Sequence, residues 1–210
     1  MIRNVIFDLD GTLLDSEYRA LNIKKTVLAR HGIEPTDELI SRIAARKLTH
    51  SLPQVIEDQK LVKEILDDYY SFAYSDVDYT NLSLPGSTEL LRELKDQGYT
   101  LALATISDWK KVNQVIEQCG WQNIFDFITT LDDVKKPKPD PEVYLTILER
   151  LKLKREETIV VEDVWVGIEA AHQAGLKVIC RKEERMPVNQ QGADYYVDDL
   201  GEVINIIKEI

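Results

Sequence analysis

The sequence contains few cysteines and histidines, which limits the kinds of site it can build. Its 210 residues include two cysteines, Cys119 and Cys180, and three histidines. The cysteines lie far apart and outside any CxxC or Cys/His spacing, so the sequence predicts neither a zinc site nor a disulfide framework. His31, His50 and His172 are not spaced as metal ligands, and we interpret each as a structural or surface residue.

The chain also lacks a long apolar run and a surplus of positive charge. No apolar stretch approaches the roughly 18 residues that a membrane-spanning helix needs. The amino end, MIRNVIFDLDG, does not have the flanks of a secretory signal. We therefore expect a cytoplasmic globular protein, monomer or homodimer, with no membrane partner. The net charge of -11 argues against a nucleic-acid partner, because binding to a phosphate backbone needs a basic patch.

Short apolar runs alternate with segments of helical periodicity over most of the chain. Runs bounded by turn residues occupy positions 5–7, 100–104, 127–130, 158–161 and 177–180. This alternation predicts an α/β fold, a Rossmann-like parallel sheet with helices on both faces. Ser107 is a candidate N-cap for the helix that follows the second run. The tail, YYVDDLGEVINII, predicts a short edge strand and a closing helix.

One long segment interrupts the alternation. Residues 16–82 have helical spacing of apolar positions, such as Leu21, Val27 and Leu28, and contain no strand-like run. We therefore predict an inserted helical cap domain at 16–82 and an α/β core formed by 1–15 and 83–210. The insertion follows the first strand directly, so it would lie above the carboxyl ends of the strands, where open α/β sheets bind ligands.

The first predicted strand ends in two acids, Asp8 and Asp10, followed by Gly11. Two positions apart, both side chains can point into one crevice. Carboxylates this close repel each other and raise one pKa unless a cation lies between them. Oxygen-only ligands suit Mg²⁺, which takes one or two protein carboxylates and keeps waters and a substrate phosphate. A simple turn would explain Asp10-Gly11 alone, but not the whole run D-x-D-G-T-L-L-D-S.

A second pair of acids, Glu162 and Asp163, follows the apolar run TIVV at the end of another predicted strand. An isolated pair of acids at this place is usually a turn or a helix cap. Here the pair supplies the further carboxylates that a metal site at Asp8 and Asp10 would need.

Four motifs follow one another over nearly the whole chain. They are D-x-D-G-T-L at 8–13, the strand LALATIS with Thr105 at its end, K-P-K-P-D at 136–140, and IVVEDVWVGIEAAHQAGLKVI. In this order they resemble the haloacid dehalogenase superfamily. The helical insertion resembles the cap of the beta-phosphoglucomutase and phosphoglycolate phosphatase branch, in which the cap selects the substrate. Where relatives often have Ser or Thr after the last acids, this chain has Val164.

The resemblance implies a role for each acid. Asp8 would be the nucleophile that attacks phosphorus and forms an aspartyl-phosphate. Asp10 would act as general acid and base. Mg²⁺ would be held by the Asp8 carboxylate, the Asp10 main-chain carbonyl and Asp163, with Glu162 as a further ligand or as a neighbour of the ligands.

The resemblance also implies which groups bind the phosphate. The Thr105 hydroxyl and the Ile106 amide would donate to its oxygens. Lys136 would neutralise the transferring phosphoryl group and hold the nucleophile in place. Lys135 and Lys138 are the rival lysines of this motif, and we interpret both as solvated loop charges.

These motifs lead us to expect an enzyme, a Mg²⁺-dependent phosphatase for small phosphomonoesters of the sugar phosphate or phosphoglycolate type. Asp10 favours phosphoryl transfer, since dehalogenase relatives lack an equivalent acid. A hexose-phosphate mutase is one alternative, although the mutase branch has a histidine near the place of Arg19. A non-catalytic sensor of a phosphate ligand is another.

Two features of the cap stay undecided from the sequence. Phosphonate-cleaving relatives use a cap lysine as a Schiff base, and the inserted region offers five candidates: Lys24, Lys25, Lys47, Lys60 and Lys63. The side chains that would contact the substrate are equally open, among Arg19, Arg42, Arg46, Lys47 and His50.

Overall fold

The computed structural model describes residues 1–44, 48–73 and 77–210. Arg46 and Lys47, two of the candidate substrate contacts, therefore lie outside the described residues. The chain divides into two compact units. The α/β unit comprises Met1–Asp15, Tyr79–Glu183 and Asn189–Ile210, and the helical unit comprises Ser16–Asp78 and Glu184–Val188.

The α/β unit is built on a parallel six-stranded sheet in the order β3-β2-β1-β4-β5-β6. The strands are β1 Asn4–Phe7, β2 Thr100–Ala104, β3 Phe127–Thr129, β4 Thr158–Glu162, β5 Lys177–Arg181 and β6 Tyr195–Val197. The predicted fold class is confirmed, including the short edge strand near the carboxyl end. All four residues of β1 are buried, as expected for a central parallel strand covered on both faces.

Helices surround this sheet and make up the described part of the helical unit. Those of the helical unit are α1 Ser16–Arg30, α2 Asp37–Ile43, α3 Leu48–Ser51 and α4 Gln59–Ala73. Those of the α/β unit are α5 Ser87–Asp96, α6 Trp109–Gln118, α7 Glu142–Leu151, α8 Trp165–Gln173 and α9 Val203–Glu209. Short 3-10 turns occur at Leu52–Gln54, Leu131–Asp133, Arg155–Glu157 and Leu200–Glu202.

The register of the sheet aligns the carboxyl ends of its central strands. Phe7 of β1 pairs with Leu103 of β2 on one side and with Val161 of β4 on the other. The chain runs from β1 outwards through β2 to β3 and then crosses back to β4 on the other side of β1, so the carboxyl end of β1 is the switch point at which open α/β sheets form a ligand crevice. The residues that follow these strands are thereby brought to one place.

Helix α6 begins one residue later than the sequence suggests. Its N-cap is Asp108, whose side chain accepts a hydrogen bond from the backbone N–H of Lys111. The prediction that Ser107 caps this helix is wrong, because the Ser107 hydroxyl donates instead to Asp10. Asp108 is an equally good capping residue, so sequence preference alone cannot separate the two positions.

The helical unit has its own apolar core. Buried residues of α1, α2 and α4 pack together with Met186, which belongs to the segment Glu184–Val188. Arg185 of the same segment lies over the Tyr18 ring, with its guanidinium carbon 4.3 Å from the ring centroid. The sequence predicts that 184–188 belongs to the α/β core, because a segment between two strands gives no sign that it packs among helices.

Lys24 is a buried lysine of this unit, and its surroundings are those of a structural residue. Its ammonium nitrogen donates to the carbonyl oxygen of Ile43 at 3.1 Å. Ile43 is the last residue of α2, so the lysine supplies a donor to a helix end whose final carbonyls have no intrahelical partner. Burial lowers the pKa of Lys24, against the opposing effect of Glu17.

Candidate active site

The carboxyl edge of the sheet brings three of the predicted acids together. Asp8 continues β1, and its backbone N–H donates to Val161 at 2.9 Å. Glu162 ends β4, and Asp163 follows it. All three residues are buried, and their carboxylate oxygens lie within 4.8 Å of one another. The structure therefore contains the acidic cluster that the sequence predicts.

The lysine at this cluster is Lys138. Its ammonium nitrogen lies 2.6 Å from an oxygen of Asp8 and 2.6 Å from an oxygen of Glu162. It also donates to the carbonyl of Ala104 at 2.9 Å. The Lys136 side chain is 74% exposed, and its nitrogen lies 3.7 Å from Asp140. The assignment of Lys136 to the site is wrong, as is the interpretation of Lys138 as a solvated charge.

The path of the loop explains this correction. Glu142, in the first turn of α7, accepts hydrogen bonds from the backbone N–H groups of Lys135 at 3.1 Å and Lys136 at 2.9 Å. These bonds hold the start of the motif beside the helix, on the solvent side. Lys138, two residues later, turns back towards the end of β1. Three lysines within four positions look alike in a sequence, because the contacts of Lys138 that separate it from the other two are made with Asp8 and Glu162, far along the chain.

Electrostatics in the cluster favour an added cation. Burial by itself would lower the pKa of Lys138, but Asp8 and Glu162 together raise it well above its usual range, so the ammonium stays charged. Burial, and next the charge of Glu162, raises the pKa of Asp8 despite Lys138. Lys138 thus contacts two of the three buried carboxylates of the cluster. A divalent cation with a preference for oxygen ligands fits this donor set.

Glu162 is held on both of its oxygens. One oxygen accepts from Lys138 and, at 2.8 Å, from the hydroxyl of Tyr144, and the other accepts from the backbone N–H of Asp163 at 3.1 Å. A Cβ on Gly167 would lie 1.7 Å from this carboxylate, so glycine is needed there. Burial, followed by the charge of Glu162, raises the pKa of Tyr144 and keeps it a neutral donor.

Sequence reasoning missed Tyr144, although a signal was present. Tyr144 shares the buried face of α7 with Val143, Ile147 and Leu148. A tyrosine on an otherwise apolar helix face usually buries its ring and needs a hydrogen-bond partner for its hydroxyl. The identity of that partner depends on the tertiary fold.

Asp10 forms a separate pair. One carboxylate oxygen contacts the ammonium of Lys111 on α6, and the other accepts from the hydroxyl of Ser107. The Asp10 side chain is 12% exposed and that of Lys111 is 24% exposed. The two acids of the DxD run are thus each matched with a different lysine, Asp8 with Lys138 and Asp10 with Lys111. Sequence reasoning did not find Lys111.

A loop after β5 supports the backbone around the acids. Arg181 donates to the carbonyl of Gly11 at 2.7 Å and to Glu183 at 3.2 Å. Gln190 donates to the carbonyl of Asp163 and, at 2.9 Å, to that of Arg181. Gly11 has φ of +91°, and a Cβ there would lie 2.0 Å from an Asp163 oxygen. Glycine is therefore required at the turn for the acids to approach each other.

The predicted phosphate-binding residues lie at the end of β2. Thr105 is buried, and its backbone N–H donates to Thr129 at 3.0 Å. Its hydroxyl oxygen accepts from the backbone N–H of Ser107 at 3.0 Å, which fixes the side chain and leaves its proton for an outside acceptor. Ile106 is half-buried beside it. Their role in binding phosphate stays a prediction.

Comparison with known proteins decides the family. The family described as haloacid dehalogenase-like hydrolase matches residues 5–180. The chain belongs to this family. Both the resemblance seen in the sequence and the expectation of a hydrolase are confirmed.

Relatives match this haloacid dehalogenase-like hydrolase over nearly its full length. It is 30% identical to the phosphorylated carbohydrates phosphatase of Thermotoga maritima, over 98% of each chain. It is 27% identical to the validoxylamine A 7'-phosphate phosphatase of Streptomyces hygroscopicus subsp. limoneus, over 97% of this chain and 96% of the relative. The crystal structure of beta-phosphoglucomutase from Clostridium difficile has the same fold, with TM-score 0.74 and 23% identity over 100% of this chain and 98% of that one.

None of the helices in residues 1–44, 48–73 and 77–210 combines the length and the hydropathy that crossing a bilayer would require. The predicted cytoplasmic location stays a prediction.

Proposed function

We propose that this chain is a Mg²⁺-dependent phosphatase that hydrolyses small phosphomonoesters of the sugar phosphate type. The observation that carries the proposal is the buried carboxylate of Asp8, held 2.6 Å from Lys138 beside Glu162 and Asp163. The names of two relatives, a phosphorylated carbohydrates phosphatase and a 7'-phosphate phosphatase, support this substrate class.

Asp8 and Asp10 divide the chemistry. An Asp8 oxygen attacks phosphorus, and the bond from phosphorus to the leaving oxygen breaks, which gives an aspartyl-phosphate. Asp10 gives its proton to the leaving oxygen. A water molecule then attacks phosphorus, the bond from phosphorus to the Asp8 oxygen breaks, and Asp10 takes one proton of that water. The Asp8 carboxylate and inorganic phosphate are the products of the second step.

Lys138 and the end of β2 stabilise the transferring group. The Lys138 ammonium already contacts Asp8, so its charge lies next to the phosphoryl oxygens as the new bond forms. The Thr105 hydroxyl and the Ile106 amide donate to the same oxygens from the neighbouring strand. Glu162 keeps Lys138 in place, since its oxygens are occupied by Lys138, Tyr144 and a backbone N–H.

The metal would be held by the carboxylates of Asp8 and Asp163 and by the main-chain carbonyl of Asp10. Thr12 donates to an Asp163 oxygen at 3.3 Å and so orients this ligand. When bound, Mg²⁺ would neutralise negative charge on Asp8 and on the phosphate. We assign substrate selection to the helical unit.

Release of inorganic phosphate from a panel of phosphorylated metabolites tests this function. The panel is run with Mg²⁺ and with a chelator, for the wild type and for Asp8→Asn, with a parallel assay for isomerised hexose phosphate. We expect release that needs both the metal and Asp8, and the ranking of substrates would identify the class. Isomerisation without release would make the chain a mutase instead. Metal-dependent phosphate binding with no turnover would make it a sensor.

A further inference from the structure

We propose that Lys111, together with Ser107, positions the Asp10 carboxyl group for proton transfer to the leaving group, a role that rests on the proposed function. Lys111 lies on α6 and contacts one oxygen of Asp10, while Ser107 in the preceding loop donates to the other. Both are positioning residues, since they act on the substrate through Asp10.

The location of Lys111 in α6 supports a role in pairing with Asp10. Asp108 is the N-cap of α6 and accepts from the backbone N–H of Lys111 at 2.8 Å, so Lys111 lies in the first turn. The first turn carries the positive end of the helix dipole, where a cation is unfavourable. Lys110, its neighbour, is exposed to solvent, whereas the Lys111 side chain is 24% exposed. A largely buried ammonium at this end of a helix needs a nearby carboxylate, and Asp10 supplies it.

Asp10 in turn needs external contacts to hold one orientation. The terminal torsion of an aspartate is broad, so its own rotamer preference leaves the carboxyl plane poorly fixed. Asp10 lies in the turn between β1 and the helical insertion, directly before Gly11. Contacts on both oxygens, from one loop and the helix that follows it, fix that plane. The Ser107 hydroxyl can also accept, so it can hold the same oxygen when that oxygen carries the proton that Asp10 transfers. The second catalytic acid is thereby oriented by elements that do not belong to its own motif.

The need for a correctly placed Asp10 should differ between two classes of phosphate ester. Alkyl phosphates release a strongly basic oxygen, so their cleavage depends on a well-placed general acid. p-Nitrophenyl phosphate releases a stable phenolate and needs little protonation. General acid–base catalysis contributes typically 10²–10⁴-fold where it is needed. Misplacing Asp10 should therefore slow the first class of substrate far more than the second.

The experiment measures kcat and KM for glucose 6-phosphate and p-nitrophenyl phosphate in the Mg²⁺-loaded enzyme. The variants are Lys111→Met, Lys111→Arg and Ser107→Ala, with Lys110→Met as the matched control. For Lys111→Met we expect kcat to fall about tenfold to hundredfold with glucose 6-phosphate, by less than about threefold with p-nitrophenyl phosphate, and KM to stay unchanged. Ser107→Ala should show the same selective loss, smaller in size. Lys111→Arg should restore most of the lost rate, and Lys110→Met should behave as the wild type.

Other outcomes would overturn the inference. Equal losses on both substrates would assign Lys111 to the phosphoryl group or to stability, and thermal unfolding would separate those two roles. Unchanged kcat of Lys111→Met on both substrates would mean that the contact between Lys111 and Asp10 has no catalytic effect. Wild-type protein that releases no phosphate in an Asp8-dependent way from these two substrates or from any member of the panel would overturn the proposed function itself, and this inference with it.

Discussion

Lys136 and Lys138 stand two residues apart in one motif, yet their ammonium groups have different surroundings. Lys138 contacts two buried carboxylates, whereas Lys136 lies near Asp140 with most of its side chain in solvent. At the scale of single residues, the path of the loop therefore decides which lysine places its ammonium group in the site. The same substitution can be made at both positions, so each variant is a matched control for the other.

We expect Lys138→Met to lower kcat for phosphate release about 10²–10³-fold, because the transferring group loses a preplaced cation. Lys136→Met should change kcat by less than about twofold. Steady-state kinetics on the best substrate of the panel measures both. If the loss instead followed Lys136, the original interpretation of the motif would be restored. Circular dichroism of Lys138→Met checks its fold, since Asp8 and Glu162 would lose their buried partner.

The acids of this site could be predicted from the sequence, while their partners could not. An apolar strand that ends in acids is an unusual pattern, and it identifies Asp8, Asp10, Glu162 and Asp163 as site residues. Lys111 carries no such signal, since a lysine in a polar helical segment usually faces solvent. Pairing across about a hundred positions is decided by the tertiary fold.

At the scale of elements, the strands were the most predictable part. Buried parallel strands appear as continuous apolar runs, and each of the six has such a run or a short aromatic one. Helix starts were harder, as Ser107 and Asp108 show. Both residues can cap a helix, and because Asp108 is the cap, the Ser107 hydroxyl is left to donate to Asp10.

The Asp108 side chain, as the N-cap of α6, should contribute to the stability of the protein. Asp108→Ala should lower the free energy of unfolding by about 1 kcal/mol, because the backbone N–H of Lys111 loses its acceptor. Asp108→Asn, which keeps a capping oxygen, should lose less. Urea unfolding followed by circular dichroism measures both values. Equal losses for the two variants would mean that the charge of Asp108, and not its capping bond, stabilises the helix.

At the scale of the whole molecule, the buried acids should link metal binding to stability. A ligand that binds only the folded state, at a hundredfold excess over its Kd, stabilises it by about 2.7 kcal/mol. For a chain of this size each kcal/mol raises Tm by roughly 2–4 °C. We therefore expect Mg²⁺ to raise the Tm of the wild type by several degrees.

The variant Asp163→Asn should lose most of this shift. Without metal it should be at least as stable as the wild type, since one of three crowded carboxylates is gone. Glu209→Gln, an exposed acid near the carboxyl end, serves as the control and should keep the full shift. Differential scanning calorimetry with and without Mg²⁺ measures all three proteins. A full shift in Asp163→Asn would place the metal elsewhere.

The helical unit is not one continuous stretch of chain. The polypeptide passes between the two units after Asp15, Asp78, Glu183 and Val188, and Met186 belongs to the helical core. A chimera in which the insertion of a relative replaces 16–78 would therefore keep Met186, which would then pack against the helices of another protein. Transplants that carry 184–188 along with the insertion should fold better than those that do not. Natural exchange of substrate preference between such proteins would likewise require two separate segments to change together.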